Sequence, residues 1–275
     1  MLKMPLTFIV LISLIQGLTE FLPVSSSGHL ALIPVFTPFN YQGKILDVAA
    51  HIGTLIAVTF YLRTEIIVIV SALCNRGRSD PINARLGVLL VLATLPVAVA
   101  GYFVNYANWI WMDMVQTLAL ANFGFAVLLW LCDRVTIKKQ GLDSVTWLPA
   151  LLIGIAQICA LIPGASRSGV TISAARFLGY DRITAARLSL LLSLPTIAGA
   201  GLLKSLDLAE SGDVALSSDA AIIIVFSAGI AWLAISWMMR WLAKASFGIF
   251  VYYRMALGTF LLLGLLQGWL DPFIS

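Results

Sequence analysis

Six stretches of this chain, 45–62, 86–104, 116–132, 184–203, 220–239 and 249–270, run 17 to 22 residues with no more than one formally charged side chain in each. Apolar runs of that length match helices crossing about 30 Å of hydrocarbon, where the backbone must satisfy its own hydrogen bonds. The chain is read as an all-α polytopic membrane protein. Composition agrees: 60% of its 275 residues are hydrophobic and 11% are charged, against about 25% charged in soluble domains. The net charge of +4 is small and its basic residues fall in short segments between apolar runs, so nothing supports nucleic-acid binding.

Charge placement gives a topology. Basic residues gather at Arg76, Arg78 and Arg85, at Arg134, Lys138 and Lys139, at Arg176, Arg182 and Arg187, and at Arg240 and Lys244, and these segments are predicted to be cytoplasmic. The segment 105–115 carries only Asp113, and 204–219 sets Lys204 against Asp207, Glu210, Asp213 and Asp219, so both are predicted to face outward. Cys74, Cys132 and Cys159 lack zinc or redox spacing and are read as packing residues. Lys3 followed by the apolar stretch 6–15 imitates a secretory signal, but Gln16 and Glu20 interrupt the run and the same pattern returns deep inside the chain.

Two apolar stretches do not fit as simple spans. The first, 4–39, is broken by Pro23 and Ser25-Ser26-Ser27-Gly28; the second, 147–178, is broken by Pro163-Gly164 and Ser166-Arg167-Ser168-Gly169. The charge rule is satisfied everywhere if each goes in and turns back, with its irregular tip buried in protein or lining a wet cavity. At an offset of 141 residues Gln16 falls on Gln157, Ser25 on Ser166, Ser27 on Ser168 and Gly28 on Gly169. The expected fold is one membrane domain built as an inverted-topology repeat, 1–135 and 145–275, each half one re-entrant helical hairpin plus three transmembrane helices. Such repeats place binding sites where interrupted helices meet near the midplane, and both termini fall outside the cytoplasm.

The broken loops also carry the chemistry. Gln16 and Glu20, four residues apart, share one helix face, and Pro23 ends or bends that helix. The serines with Gly28 can open a new helix, whose free N–H groups favour an anion. The second loop repeats the device and adds the Arg167 guanidinium, a fork suited to phosphate. The plainer alternatives are helix packing for the serines, a snorkelling Arg167 and a Glu20 at the outer mouth. At depth each ionised group costs about 2.5–3.5 kcal/mol, which argues for mutual pairing or a ligand. Only two histidines occur. His51 reads as a packed helix residue with Asp47 one turn earlier as its partner; His29, after three hydroxyls and nine residues past Glu20, completes a nucleophile, base and charge in one segment.

The motifs Gln-Gly-Leu-Thr-Glu-Phe-Leu-Pro-Val-Ser-Ser-Ser-Gly-His and Pro-Gly-Ala-Ser-Arg-Ser-Gly-Val-Thr-Ile-Ser resemble, in order, the two signatures of the undecaprenyl-diphosphate phosphatase (bacitracin-resistance) family. His51-Ile52-Gly53-Thr54-Leu55 and the segment from Ser189 to Pro195 extend the likeness over nearly the whole chain. The resemblance implies a bacterial inner-membrane enzyme with an outward-facing active site and a divalent cation, Mg2+ or Ca2+. Its implied activity removes the terminal phosphate of a C55 polyprenyl diphosphate, regenerating the monophosphate carrier for cell-wall synthesis. Carried over by position, Glu20 is the acidic residue, Ser26 and His29 are the catalytic serine and histidine, and Arg167 binds phosphate. Ser25, Ser27, Gly28, Ser166, Ser168, Gly169 and Thr171 line the phosphate, and Glu20 with Gln16 would hold the metal. Membrane lipids are its surroundings, and a homodimer is one expected assembly.

Two positions depart from the family pattern. Gln16 replaces a frequent Glu, a weaker metal ligand, and Arg187 stands where many relatives carry an acid or a neutral residue. Two mechanisms remain open from sequence, attack by Ser26 with His29 as general base or attack by His29 itself. A competing class is a transporter or flippase of polyprenyl phosphate, which the same fold would serve; Glu20 and His29 beside the serines favour the enzyme.

Overall fold

The structure is a computed structural model that describes residues 5–38, 44–107, 109–135, 141–210 and 218–273. Twelve helices carry these residues: α1 Leu6–Thr19, α2 Ser26–Ala31, α3 Ile33–Phe36, α4 Lys44–Tyr61, α5 Arg63–Cys74, α6 Pro81–Ala107, α7 Val115–Cys132, α8 Trp147–Ala156, α9 Arg167–Phe177, α10 Arg182–Glu210, α11 Ser218–Leu242 and α12 Gly248–Leu266. Beyond helices and short 3-10 turns, the described residues include an isolated antiparallel bridge, Met114 to Phe273. By length and apolar composition α6, α7, α10, α11 and α12 can each cross a membrane, and α4 joined to α5 makes a sixth candidate.

The stretch read as 45–62 is met by α4, and a second apolar helix, α5, follows it at once. The axis turns by 79° after Leu62, and α5 leaves the direction of its span. The polar start of α5 supplies the reason. Arg63 donates to the Phe60 carbonyl at 3.0 Å, and Glu65 pairs with Arg187 of α10. The unexplained Arg187 therefore has an acid of its own. Cys74 sits exposed at the far end of α5, not in packing; Cys132 is buried and Cys159 is half-buried.

Local signals set the starts of the long helices. Asp80 accepts from the Asn83 backbone N–H at 3.0 Å ahead of Pro81, and Asp181 accepts from Thr184 N–H at 3.0 Å ahead of Arg182; a capping carboxylate, followed in α6 by proline in the first turn, is favoured there. Helices α4 and α11 pack closely because Gly53 has no side chain: a Cβ there would stand 2.4 Å from the Ile224 carbonyl oxygen. Small residues let membrane helices approach in this way.

The basic segments meet at one end of the bundle. Arg85 donates to the Asp143 carbonyl and Gly141 N–H to Thr184, both at 3.0 Å. Asp133, only 9% exposed, accepts from Arg176 at 3.1 Å, Arg182 at 2.8 and 3.0 Å and the Phe247 N–H at 3.4 Å, joining the ends of α7, α9, α10 and α12. Several donors on one buried carboxylate offset its desolvation. Lys138, Lys139 and Asp213 lie outside the described residues. At the opposite end Val115 N–H donates to the Pro272 carbonyl at 3.0 Å, and Phe8, Ile9, Leu46, Ala220 and Ile223 share an apolar cluster.

The ends of each broken stretch lie close together. Residues near the start of α1 share that cluster with Leu30 and Ile33 of the returning arm, and Tyr180, after α9, donates to the carbonyl of Ser144, before α8, at 3.3 Å. Helix α1 packs on α11 and α8 on α6; α4 packs on α11 and α10 on α6; α7 and α12 pack on each other.

Candidate functional site

The two polar loops have the same backbone device. Helix α1 ends at Thr19, and the chain turns through Pro23, which has no N–H to continue a helix. Ser25 then takes φ +75°, and its Oγ accepts from the Gly28 N–H at 3.3 Å to cap α2. In the second loop Ser166 takes φ +69°, and its Oγ accepts from the Gly169 N–H at 3.1 Å to cap α9. Among the described residues only one other non-glycine residue, Arg76, has positive φ. A conformation that disfavours serine, held twice at matched positions, marks a backbone fixed by its surroundings. Gly164 makes the second loop's close approach: its φ is +90°, and a Cβ would meet the Leu118 carbonyl oxygen at 2.4 Å.

Loop meets loop through three residues. Ser168 donates to the Leu22 carbonyl at 2.8 Å, and Arg167 Nη2 donates to Glu20 Oε1 at 2.9 Å across 147 residues of sequence. Arg254 of α12, fully buried, donates from Nη2 to the Gly164 and Ala165 carbonyls at 2.9 Å each, from Nη1 to the Pro23 carbonyl at 3.4 Å and from Nε to Asn122 Oδ1 at 2.8 Å. One guanidinium thus ties both loop tips to α7 and α12. The sequence reading passed over Arg254 and Asn122. A lone arginine inside an apolar span was the available signal, since ionisable groups at depth mark sites.

Glu20 is the centre of the cluster. Its Oε2 accepts from Ser26 Oγ at 2.6 Å and from Gln16 Nε2 at 3.0 Å, its Oε1 accepts from Arg167, and its side chain is 7% exposed. His51 stands nearer than the sequence suggested. Its Nδ1–H donates to the Asp47 backbone carbonyl at 2.7 Å, not to a carboxylate, which turns Nε2 to within 4.0 Å of Glu20 Oε2. His29 is on the same loop but engaged elsewhere: Nδ1 bonds the Ser25 carbonyl and Nε2 the Tyr253 hydroxyl, both at 2.6 Å. The proton of Ser26 therefore points to Glu20, while His29 faces α12.

The remaining hydroxyls mainly hold the loops in shape. Ser25 and Ser166 are helix caps, and each contacts the serine two residues on, Ser27 at 3.4 Å and Ser168 at 3.1 Å. Thr171 donates to a backbone carbonyl within α9 and pairs with the Ser189 hydroxyl at 2.8 Å. Two buried polar atoms at the cluster have no protein partner, Arg167 Nη1 and Gln16 Oε1. A free guanidinium N–H suits an anion and a free amide oxygen suits a hard cation, so the donor chemistry fits a phosphate and a divalent metal side by side. Among the described residues no group of three His, Cys, Asp or Glu could hold a metal by itself. The protein side of such a site is one carboxylate and one amide oxygen.

The sequence profile of the family described as bacitracin resistance protein BacA matches residues 9–260. An undecaprenyl-diphosphatase 1 of Rhodospirillum rubrum is 45% identical, over 97% of this chain and 98% of its own. Undecaprenyl-diphosphatases of Dinoroseobacter shibae and Hahella chejuensis are each 44% identical, over 94% of this chain and 98% and 97% of theirs.

Proposed function

This chain belongs to the bacitracin resistance protein family of undecaprenyl-diphosphatases, and from that membership we propose that it hydrolyses the terminal phosphate of undecaprenyl diphosphate at the junction of its two loops. The observation that carries the reading is the Glu20 cluster, where Ser26 from the first loop and Arg167 from the second meet on one buried carboxylate.

The chemistry follows from those contacts. Arg167 offers Nη1, and on substrate arrival Nη2, to the oxygens of the terminal phosphate. Ser26 Oγ attacks phosphorus and passes its proton to Glu20 Oε2, already its acceptor at 2.6 Å, as the bond to the leaving lipid monophosphate breaks. Water then breaks the bond between phosphorus and Ser26 Oγ: Glu20 returns its proton to Oγ, and the water's proton passes to His29, three residues along the same helix. Glu20 thus fills the role at Ser26 that the sequence suggested for His29. Glu20 and Gln16 Oε1 would hold a divalent cation, which would neutralise charge on the diphosphate.

The fold is read as the inverted repeat. Exchanging α1 with α8, α4 with α10, α6 with α11 and α7 with α12 maps this set of packing pairs onto itself, and the matched serine caps support the same pairing. The halves 1–135 and 145–275 then divide the labour. Glu20, His29 and His51 face Leu161, Val170 and Leu192 at the 141-residue offset, while Arg167 faces Ser26. One chain supplies every residue of the site, so a homodimer would not be needed to complete it.

Phosphate release from a long-chain polyprenyl diphosphate by the purified protein, with and without chelator, tests the function. Release that stops with chelator and returns with Mg2+ or Ca2+ is expected, and no release under any cation would leave the transporter reading. Gln16→Glu should lower the half-saturating cation concentration, because a second carboxylate joins Glu20 one helical turn away; an unchanged requirement would remove Gln16 from the cation site.

Orientation is proposed from the basic end, which is placed in the cytoplasm of a bacterial inner membrane. In a protein lacking its native cysteines, Asp113→Cys should react with an impermeant maleimide in intact cells, and Arg78→Cys only after lysis. The reverse pattern would invert the topology and turn the site's opening inward.

A further inference from the structure

Tyr253 has no part in the chemistry above, yet its hydroxyl lies 2.6 Å from His29 Nε2, with the two ring planes 10° from parallel. The other ring nitrogen settles the hydrogen positions. The Ser25 carbonyl can only accept, so the 2.6 Å contact with Nδ1 places a hydrogen on that nitrogen. In the neutral ring Nε2 then holds the lone pair, and Tyr253 donates to it. Two features fix where that hydroxyl sits. The next residue, Arg254, is fully buried and bonded to both loops and to Asn122. Helix α12 also runs beside the α2–α3 arm, with Phe260 against Phe36 at 6.0 Å between ring centroids.

We propose that Tyr253 holds the His29 imidazole by its hydroxyl and hands it the water's proton: the phenol gives its hydrogen to Nε2 as it takes one from the water, so the ring gains and loses a proton while Nε2 keeps one direction. A phenol suits this task because it donates to a neutral imidazole and accepts from an imidazolium; the contact survives both halves of a proton transfer. Without the hydroxyl, His29 keeps one anchor at Nδ1 and can swing about it. The inference deepens the phosphatase reading and rests on it for the proton role of His29.

Tyr253→Phe in the full-length protein keeps the ring and removes only the hydroxyl. With polyprenyl diphosphate as substrate, kcat should fall by about tenfold or more while KM stays within about threefold, the pattern of a group acting on the chemical steps. Nitrogen-15 spectra of histidine-labelled protein, assigned with His29→Asn, give the second reading. The wild type should show an unprotonated, hydrogen-bonded Nε2 at His29, and Tyr253→Phe should move that resonance downfield. A raised KM with unchanged kcat, wild-type kinetics, or an Nε2 resonance identical in the two proteins would each overturn the proposal. If the wild type releases no phosphate, the phosphatase reading falls, and the Nε2 resonance still decides whether Tyr253 holds His29.

Discussion

Ser26→Ala is expected to lose phosphate release by about 10⁴-fold or more, the scale seen when a nucleophile is removed from a catalytic unit. The substitution deletes one oxygen. It leaves Glu20 paired with Arg167 and Gln16, and it leaves the Ser25 cap on Gly28 untouched, so the loop should keep its shape. Substrate binding should survive, because Arg167 and the loop backbone still face the phosphate. Equilibrium binding of labelled lipid diphosphate, measured beside turnover, separates the two effects. Retained turnover in Ser26→Ala would transfer the attack to His29, the alternative that the sequence left open.

Arg254→Met should damage both folding and activity. The thioether chain replaces the apolar stem but none of the donors, leaving Asn122 Oδ1 and three loop carbonyls without the guanidinium that holds them. Each buried acceptor left unsatisfied costs about 1–3 kcal/mol, and breaking buried charged contacts on the order of 3–5 kcal/mol. The midpoint of thermal unfolding in detergent should drop markedly, and the surviving folded protein should turn over slowly because the two tips no longer hold their spacing. Arg254→Lys should rescue little, since an ammonium cannot span Asn122 and both loops as a planar fork does. A variant as stable and active as the wild type would show that the loops dock without Arg254.

Much of this arrangement is legible in the amino-acid sequence, for reasons that differ by residue. Gln16 and Glu20 meet because i and i+4 always share a helix face, and their 3.0 Å bond is local. Ser25 and Ser166 can be matched because the two loops carry like residues in the same order, and both serines adopt positive φ. Their hydroxyls cap α2 and α9, a role that depends on a dihedral angle. The partners of Glu20, His29 and Arg254 are harder to read. Ser26 and His29 are near neighbours, but which base takes the serine proton depends on rotamers and on Tyr253, 224 residues away from His29. Arg254 lies in plain view as one charge in an apolar run, yet its acceptors in the two loops stand 89 to 231 residues off in sequence. The end of the stretch at Leu62 is legible because Arg63, Thr64 and Glu65 follow it; the 79° turn that sends α5 off the line of α4 is not, since the partner of Glu65, Arg187, stands 122 residues away.

The central claim is that one site is formed by the two loops, with Arg167 acting on phosphate and not merely tethering Glu20. Arg167→Lys tests it most directly, because a lysine can still pair with Glu20 and keep the loops docked, but it cannot offer the two parallel N–H bonds that an equatorial pair of phosphate oxygens takes. Steady-state phosphate release by this variant, purified and folded, should fall by about 10²–10³-fold, the loss typical of one preorganised charge-stabilising donor. Turnover close to that of the wild type would contradict the account, leaving Arg167 as a structural tie between the loops.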